Sequence, residues 1–208
     1  MTGTWLNIDK GNQTTGPQAT AHTLAVSSNT TWTVASNNTG IATVSPASGS
    51  NSGSVSVSVK ANTTTGSRVA TVTATPAGNT AKSYTVTQYG VVFPASFANV
   101  TDVPASGKGT TNISVTSNIP WQATSNQSWC TIGSGSQTGA NTQTGDTKNF
   151  TYTVSANTGA VRTATITVEG TGSFTGFSRT FTVTQKAGYQ GNLRPNDPNN
   201  NDQTNEFK

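Results

Sequence analysis

The sequence contains one pattern twice, and this repeat decides the fold. Residues 26–34 read VSSNTTWTV and residues 115–123 read VTSNIPWQA, which places Trp32 and Trp121 at equivalent positions. A repeat of about 90 residues is too long for a solenoid unit of about 20–50 residues. It matches the length of a small β-sandwich domain, about 100 residues. The repeat therefore predicts two related domains in tandem.

The segments after each Trp also recur and favour strands. Residues 61–72 (ANTTTGSRVATV) correspond to residues 156–166 (ANTGAVRTATI), and YTVTQ at 84–88 corresponds to FTVTQ at 181–185. Apolar residues alternate with polar ones, as at Val55, Val57 and Val59, which buries one face of a strand. Short strands separated by Gly, Asn and Pro turns are typical of an Ig-like sandwich. We therefore predict an all-β protein.

The composition excludes a nucleic-acid-binding protein and a membrane-spanning one. Charged residues make up 9% of the chain and hydrophobic residues 31%, against about 25% charged in typical soluble domains. The sequence pI is 9.4, but the 11 Lys and Arg residues are scattered and form no basic patch. No apolar run reaches the length of a transmembrane helix. We expect neither nucleic acid nor membrane as a partner.

The residue types needed for catalysis or metal binding are too sparse to form a site. His22 is the single histidine and Cys130 the single cysteine, so neither an intramolecular disulfide nor a histidine metal pair can form within the chain. Before residue 189 the acids are Asp9, Asp102, Asp146 and Glu169, and no pair resembles the two carboxylates of a glycosidase. We predict a protein that is not an enzyme and has no cofactor or metal.

The domain boundaries follow from the repeat. We predict a first Ig-like sandwich over 1–90 and a second over 91–188, whose first strand, at 91–97, is interrupted at Pro94. Long Gly-, Ser- and Thr-rich loops are predicted at 133–148 and 170–176; they form either a binding surface or tolerated insertions. Residues 189–208 are predicted to be a polar, extended C-terminal tail, disordered unless a neighbouring subunit or partner holds it.

The repeated residues resemble the BACON family, the Bacteroidetes-associated carbohydrate-binding often-N-terminal domains. The resemblance rests in the first copy on Asn29, Trp32, Ile41, Val44, Ser45, Ser48, Gly49, Asn62, Arg68, Ala70, Thr71, Val86 and Gln88, and in the second on Asn118, Trp121, Trp129, Ile132, Asn157, Arg162, Ala164, Thr165, Val183 and Gln185. Ile41 departs from the family pattern, which has Trp there. The resemblance implies an Ig-like fold and a carbohydrate-binding role.

Most of these motif residues are interpreted as structural. Buried aromatic side chains pack in domain cores, and Asn side chains form hydrogen bonds with the backbone of turns. The aliphatic part of an Arg side chain can lie along the edge of a sheet. On this basis we assign core roles to Trp32 and Trp121, turn roles to Asn62 and Asn157, and sheet-edge roles to Arg68 and Arg162.

Glycan recognition needs an exposed aromatic platform with amides or hydroxyls nearby. The aromatic candidates are Trp5, Tyr89, Trp129 and Phe174, and the polar candidates are Asn126, Gln127 and Asn141. For each aromatic residue the alternative is burial or packing between domains.

Two functions remain open. The first is a bacteriophage virion protein, because BACON-like domains occur in crAss-like phages and residues 1–10 do not resemble a signal peptide. It would be a capsid auxiliary or decoration subunit at the virion surface, anchored to capsid or other virion proteins by the tail or the strand near Trp5. The second is a carbohydrate-binding or spacer module of a secreted or surface-bound Bacteroidetes protein. Either could be a homo-oligomer, and either could bind glycans.

Overall fold

The structure, a computed structural model, describes residues 3–188 and confirms an all-β, Ig-like architecture. Two groups of strands each form a pair of sheets, one from the first half of the described chain and one from the second. The predicted C-terminal tail, residues 189–208, lies outside the described residues.

The first sandwich contains nine strands. Its two sheets have the orders β1-β3-β7-β5 and β2-β9-β8-β4-β6. All neighbours are antiparallel except β2 and β9, which run parallel. The strands are β1 (Leu6–Ile8), β2 (Gln13–Thr15), β3 (Thr20–Ser28), β4 (Thr31–Ser36), β5 (Ala42–Ser45), β6 (Ser48–Ser50), β7 (Gly53–Val59), β8 (Arg68–Pro76) and β9 (Lys82–Gln88).

The second sandwich repeats this arrangement with eight strands. Its sheets have the orders β11-β15-β13 and β10-β17-β16-β12-β14, with β10 parallel to β17. The strands are β10 (Val100–Val103), β11 (Lys108–Ser117), β12 (Pro120–Ser125), β13 (Cys130–Gly133), β14 (Ser136–Thr138), β15 (Asp146–Val154), β16 (Arg162–Gly170) and β17 (Ser178–Gln185), and a short 3-10 turn spans Gly172–Phe174.

Strict alternation explains why these segments are strands. In β7, Val55, Val57 and Val59 are buried while the serines between them are exposed. Successive side chains of a strand point to opposite faces, so this pattern gives each sheet one apolar face and one face of hydroxyl groups. The two apolar faces of each sandwich meet in a separate core, one built around Trp32 and one around Trp121.

The segment that joins the sandwiches corrects the predicted first strand of the second domain. Residues 91–99 contain no strand, and pairing begins only at β10. Val92 exchanges hydrogen bonds with Asn118, as Trp5 does with Asn29 at the start of β1. Two residues after Val92, however, stands Pro94, which has no N–H for a ladder. The second sandwich therefore has no counterpart of β1.

Other predicted turns and loops contain more structure than expected. The three-residue strand β6 lies in a segment rich in Ser and Gly, and the loop predicted over 133–148 includes β14 and the start of β15. The loop predicted over 170–176 includes the 3-10 turn. Hydroxyl-rich segments of this kind carry no apolar alternation, so the periodicity that reveals long strands misses three-residue edge strands.

The junction between the sandwiches is held by amide groups. The Gln18 backbone N–H donates to Asn141 Oδ1 at 2.9 Å, and the Gln18 side chain donates to the carbonyls of Asn118 and Gly139 at 3.0 Å each. The Gly16 N–H donates to the Asn141 carbonyl, and a side chain at Gly16 would clash with Asn141. These contacts bring the entry to β3 against the loop after β14.

We expect Gln18→Ala to loosen this junction while both sandwiches stay folded. The substitution removes two hydrogen bonds that join the sandwiches but no residue of either core. Residual dipolar couplings of the full chain test it. One alignment tensor should describe both sandwiches in the parent protein, and two should be needed in the variant. Gln13→Ala, whose side chain bonds only within the first sandwich, is the control, and a single tensor for Gln18→Ala would contradict the expectation.

Candidate functional site

Each sandwich is closed at one end by an Arg–Gln pair that bonds to backbone. In the second, Arg162 Nε donates to Gln185 Oε1 at 2.8 Å and Arg162 Nη2 donates to the carbonyls of Ser155 and Ala156 at 2.9 Å each. In the first, Arg68 makes the same bonds to Gln88 and to the carbonyls at 60 and 61. All these acceptors are uncharged, and neither guanidinium forms an ion pair with a carboxylate within residues 3–188.

The repeated asparagines organise the turns before these arginines. Asn157 Nδ2 donates to the carbonyls of Ala160 and Lys186 at 2.7 and 2.8 Å, and its Oδ1 accepts from the Gly159 N–H. Asn62 does the same with Gly66, Tyr89 and Thr64. Both asparagines are buried. Their amides are fully engaged with backbone, which makes them structural groups.

Trp129 is the aromatic residue best placed to contact a ligand. It is half-buried against the second core, and the Arg162 guanidinium lies 4.3 Å from its ring centroid, a cation–π contact. Trp129 lines an open depression of about 490 Å³. Its other lining residues are Ser106, Gly107, Lys108, Gly109, Ser128, Thr131, Thr153, Val154, Ser155 and Ala156. A flat ring surrounded by hydroxyl and peptide groups suits a polar ligand with an apolar face.

A second depression of about 620 Å³ adjoins the first, because Ser128 and Thr131 line both. It is lined by Asn126 and Gln127. Asn126 Oδ1 accepts the Thr165 N–H at 2.8 Å, so part of its amide is committed. The structure thus brings together three sequence candidates, Trp129, Asn126 and Gln127, on the loop before β13. We call this surface, the two depressions together, the Trp129 surface.

The other candidates lie elsewhere, and Phe174 is wrong as a platform. Phe174 is 4% exposed and packs with Val91 and Ile119 in a small apolar cluster at the junction. Asn141 bonds Gln18 across the junction. Tyr89 is half-buried, and its carbonyl accepts from Asn62. In each case the position beside the domain junction, which local sequence does not reveal, determines the environment.

Trp5 is exposed but lies in the first sandwich, far along the chain from the Trp129 surface. Its side chain is 48% exposed, while its backbone bonds Asn29 and leads directly into β1. Leu6, the next residue, is buried in the first core. Trp5 is therefore a separate exposed aromatic residue on a strand that the first sandwich uses for its own packing.

The first sandwich has no equivalent of the Trp129 surface. Ile41 precedes β5 as Trp129 precedes β13, and Ile41 is buried in the core. A depression of about 530 Å³ in the first sandwich is lined by Trp32, but Trp32 is buried, and the rest of the lining is Thr, Ser, Gly, Ala and Pro. No exposed aromatic face is available there.

Cys130 and His22 are titratable groups whose pKa is shifted by burial. Burial raises the pKa of the Cys130 thiol and keeps it protonated, although Cys130 lines one depression. Burial lowers the pKa of His22, whose Nε2 lies 2.8 Å from the Tyr84 hydroxyl. Residues 3–188 contain no cluster of His, Cys, Asp and Glu suited to a metal ion. No helix among those residues is long and apolar enough to cross a membrane.

Sequence comparison identifies both sandwiches with one family. Residues 5–91 match the family described as "Viral BACON domain", and residues 120–186 match BACON, described as "Putative binding domain, N-terminal". No curated protein matches the chain significantly.

Several solved structures are similar to this chain at a low level. A Bacteroides ovatus GH5 xyloglucanase in complex with a XXXG heptasaccharide is 18% identical, with a TM-score of 0.40 over 51% of this chain and 28% of its own. A Porphyromonas gingivalis W83 protein of unknown function is 10% identical, with a TM-score of 0.33 over 87% of this chain and 99% of its own. This chain thus spans little more than a quarter of the xyloglucanase.

Titin domains I67–I69 are 7% identical, with a TM-score of 0.35 over 88% of this chain and 65% of their own. Likeness at these levels carries no argument about function. The family matches do identify the chain: together they cover both sandwiches, and the protein belongs to the BACON family as two tandem BACON-type domains.

Proposed function

We propose that this chain is a non-enzymatic structural and adhesive protein of a bacteriophage virion. It would be a capsid auxiliary or decoration subunit at the virion surface, with domains at 1–90 and 91–188, whose second domain binds host or mucin glycans. The match of residues 5–91 to the viral BACON domain supports the virion assignment. The Trp129 surface supports glycan binding, because it joins a half-buried aromatic side chain at an open depression to amides and hydroxyls.

Attachment to the capsid is assigned to the termini. The tail at 189–208 lies outside the described residues. At the other end Trp5 is 48% exposed, whereas β1 is paired with β3. An N-terminal contact with another virion protein would therefore use Trp5 and its neighbours and leave the β1 ladder intact.

Electron cryomicroscopy of the source particle, with mass spectrometry of its proteins, tests the virion assignment. Density for two tandem sandwiches in stoichiometric amounts on a capsid lattice would support it. Recovery of the chain from a bacterial surface fraction, and its absence from particles, would overturn it. That second result would favour a carbohydrate-binding or spacer module of a Bacteroidetes surface protein, a function supported by the BACON match at 120–186.

Glycan binding is tested by removing the ring. We expect Trp129→Ala to abolish binding to any glycan that the full chain retains on a glycan array, because a sugar in contact with the Trp129 side chain loses that apolar contact. Trp5→Ala is the matched control, since it removes an exposed Trp outside the Trp129 surface. Multivalent display is needed for weak sites. Equal loss in both variants, or no loss in Trp129→Ala, would rule out the Trp129 surface.

Trp129 also packs against the second core, so its loss of binding must be separated from loss of folding. Trp129→Phe keeps an aromatic ring and should retain part of the binding. The thermal unfolding of the second sandwich should be measured for both Trp129 variants. If a variant binds weakly while its second sandwich remains folded at the assay temperature, the loss of binding is due to the missing ring contact and not to unfolding.

A further inference from the structure

The Trp129 surface carries positive charge that no acidic group of the second sandwich neutralises. Lys108 is exposed, lines the same depression as Trp129, and forms no ion pair within residues 3–188. The Arg162 guanidinium stacks on Trp129 and bonds the carbonyls of Ser155 and Ala156, two further lining residues. One cation, Lys108, therefore lines the depression, and a second, Arg162, contacts three of its lining residues.

The carboxylates of the second sandwich are engaged elsewhere. Within the described part of that sandwich they number three, Asp102, Asp146 and Glu169. Asp102 pairs with Lys186 and Asp146 with Lys148, and Glu169 accepts a hydrogen bond from Gln122 at 2.7 Å. None of the three lines either depression. A cleft lined by one sign of charge concentrates ligands of the opposite sign.

The first sandwich lacks this arrangement. Lys108 pairs with Val154 at the start of β11, as Thr20 pairs with Val59 at the start of β3. The equivalent of Lys108 is thus the uncharged Thr20, and the equivalent of Trp129 is the buried Ile41. The aromatic residue and the free lysine occur together in the second sandwich, whereas the Arg–Gln pair is common to both. The fold itself therefore does not require Lys108 or Trp129.

From this we infer that the Trp129 surface selects acidic saccharides, sugars that carry a carboxylate or sulfate group, through Lys108 at the rim and the ring of Trp129 at its side. This inference rests on the proposed glycan-binding function. The sugar contacts the part of the Trp129 side chain that Arg162 and the second core leave accessible, and its anionic group accepts a charge-assisted hydrogen bond from Lys108 Nζ. Arg162 adds positive electrostatic potential to the surface. It has few free N–H groups to donate to a sugar, because its Nε and Nη2 are already bonded to protein acceptors.

NMR titration of the 15N-labelled full chain tests the inference. The probes are lactose, 3′-sialyllactose and 3′-O-sulfated lactose, which share one neutral core. We expect the indole N–H of Trp129 to shift with the acidic sugars, with affinities about three- to tenfold higher than for lactose. Raising the salt from about 0.05 M to about 0.5 M should reduce this preference, because exposed charges are screened. A response to one acidic sugar alone would identify carboxylate or sulfate as the group recognised.

Lys108→Gln should lower the affinities for the two acidic sugars to about that for lactose. Lys148→Gln is the matched control, since Lys148 lies on β15 outside both linings and pairs with Asp146. Equal affinities of the parent protein for all three sugars would overturn the acidic preference while leaving glycan binding in place. A preference that survives Lys108→Gln would overturn the role of Lys108. If the array retains no glycan and no sugar shifts the indole N–H resonance of Trp129 in solution, the proposed glycan binding fails as well.

Discussion

Trp121→Ala is expected to unfold the second sandwich under conditions in which the first remains folded. Trp121 is 0% exposed and contacts Phe150 edge to face, with ring centroids 6.1 Å apart. Truncation of a buried Trp costs about 3–5 kcal/mol, a large part of the roughly 5–15 kcal/mol that stabilises a typical domain. The two cores share no residue, so the loss should be confined to the second.

Calorimetry and urea unfolding of the full chain measure this result. Trp121→Ala should move one of two transitions to lower temperature, and Trp32→Ala should move the other. A single transition shifted equally by both variants would show that the sandwiches unfold as one unit, which contradicts the expectation.

Phenylalanine at the two Trp positions separates packing from hydrogen bonding. Trp32 Nε1 donates to the Asn51 carbonyl at 2.7 Å, whereas Trp121 Nε1 has no hydrogen-bond partner within residues 3–188. Both replacements lose similar volume, but only Trp32→Phe leaves an acceptor without its donor. The free energy of unfolding should therefore fall by about 1 kcal/mol more for Trp32→Phe than for Trp121→Phe. Equal losses would argue against a stabilising role for the Trp32 hydrogen bond.

The fold could be predicted from the sequence because its signals are local and occur twice. Alternation at Val55, Val57 and Val59 reports a buried face directly, and a Trp repeated in the same context marks the two cores. The segment 91–97 has no such alternating signal. Its apolar residues suggest a strand, but they pack against the second core and the junction cluster without a ladder. Apolar content alone does not distinguish a strand from a buried connection.

The candidate site was predictable in part for the same reason. Trp129, Asn126 and Gln127 are neighbours in sequence, so a local interpretation places them together. Lys108 could not be predicted as a site residue from local sequence. It lies at the site only because β11 pairs with β15, with Lys108 opposite Val154. The burial of Phe174 and the bond of Asn141 to Gln18 depend on contacts at the junction between the sandwiches, which local sequence does not reveal. Long-range pairing of this kind leaves no periodic signal in one sequence.

The distribution of features between the domains bears on the proposed function. The first domain matches the viral family and carries the exposed Trp5, while the second carries the Trp129 surface. A subunit that attaches through one domain and binds through the other needs a defined orientation between them. The Gln18 contacts with Asn118, Gly139 and Asn141 supply such a constraint. Attachment and adhesion can therefore be tested separately, by variants of different domains.

Gln185→Ala is expected to destabilise the second sandwich by about 3 kcal/mol, because several hydrogen bonds are lost at once and one of them is to the charged Arg162 guanidinium. Gln185 is 0% exposed. Its Oε1 accepts from Arg162 Nε, and its Nε2 donates to the carbonyls of Pro104, Ala105 and Ser155. These bonds join β10, β15 and β16 at one end of the sandwich, and alanine can replace none of them.

Urea unfolding compares Gln185→Ala with Gln185→Glu, which can still accept from Arg162 but cannot donate to the carbonyls. If the donor bonds matter, the glutamate variant should also be destabilised although it gains an ionic contact with Arg162, since a buried carboxylate facing carbonyl oxygens is unfavourable. Gln88→Ala should produce the same loss in the first sandwich, where Gln88 bonds Arg68 and the carbonyls of Pro17 and Gln18. Full stability of Gln185→Ala would mean that water replaces the amide at no cost, and the Arg–Gln pair would then lose its structural role and become a candidate for ligand contact beside Trp129.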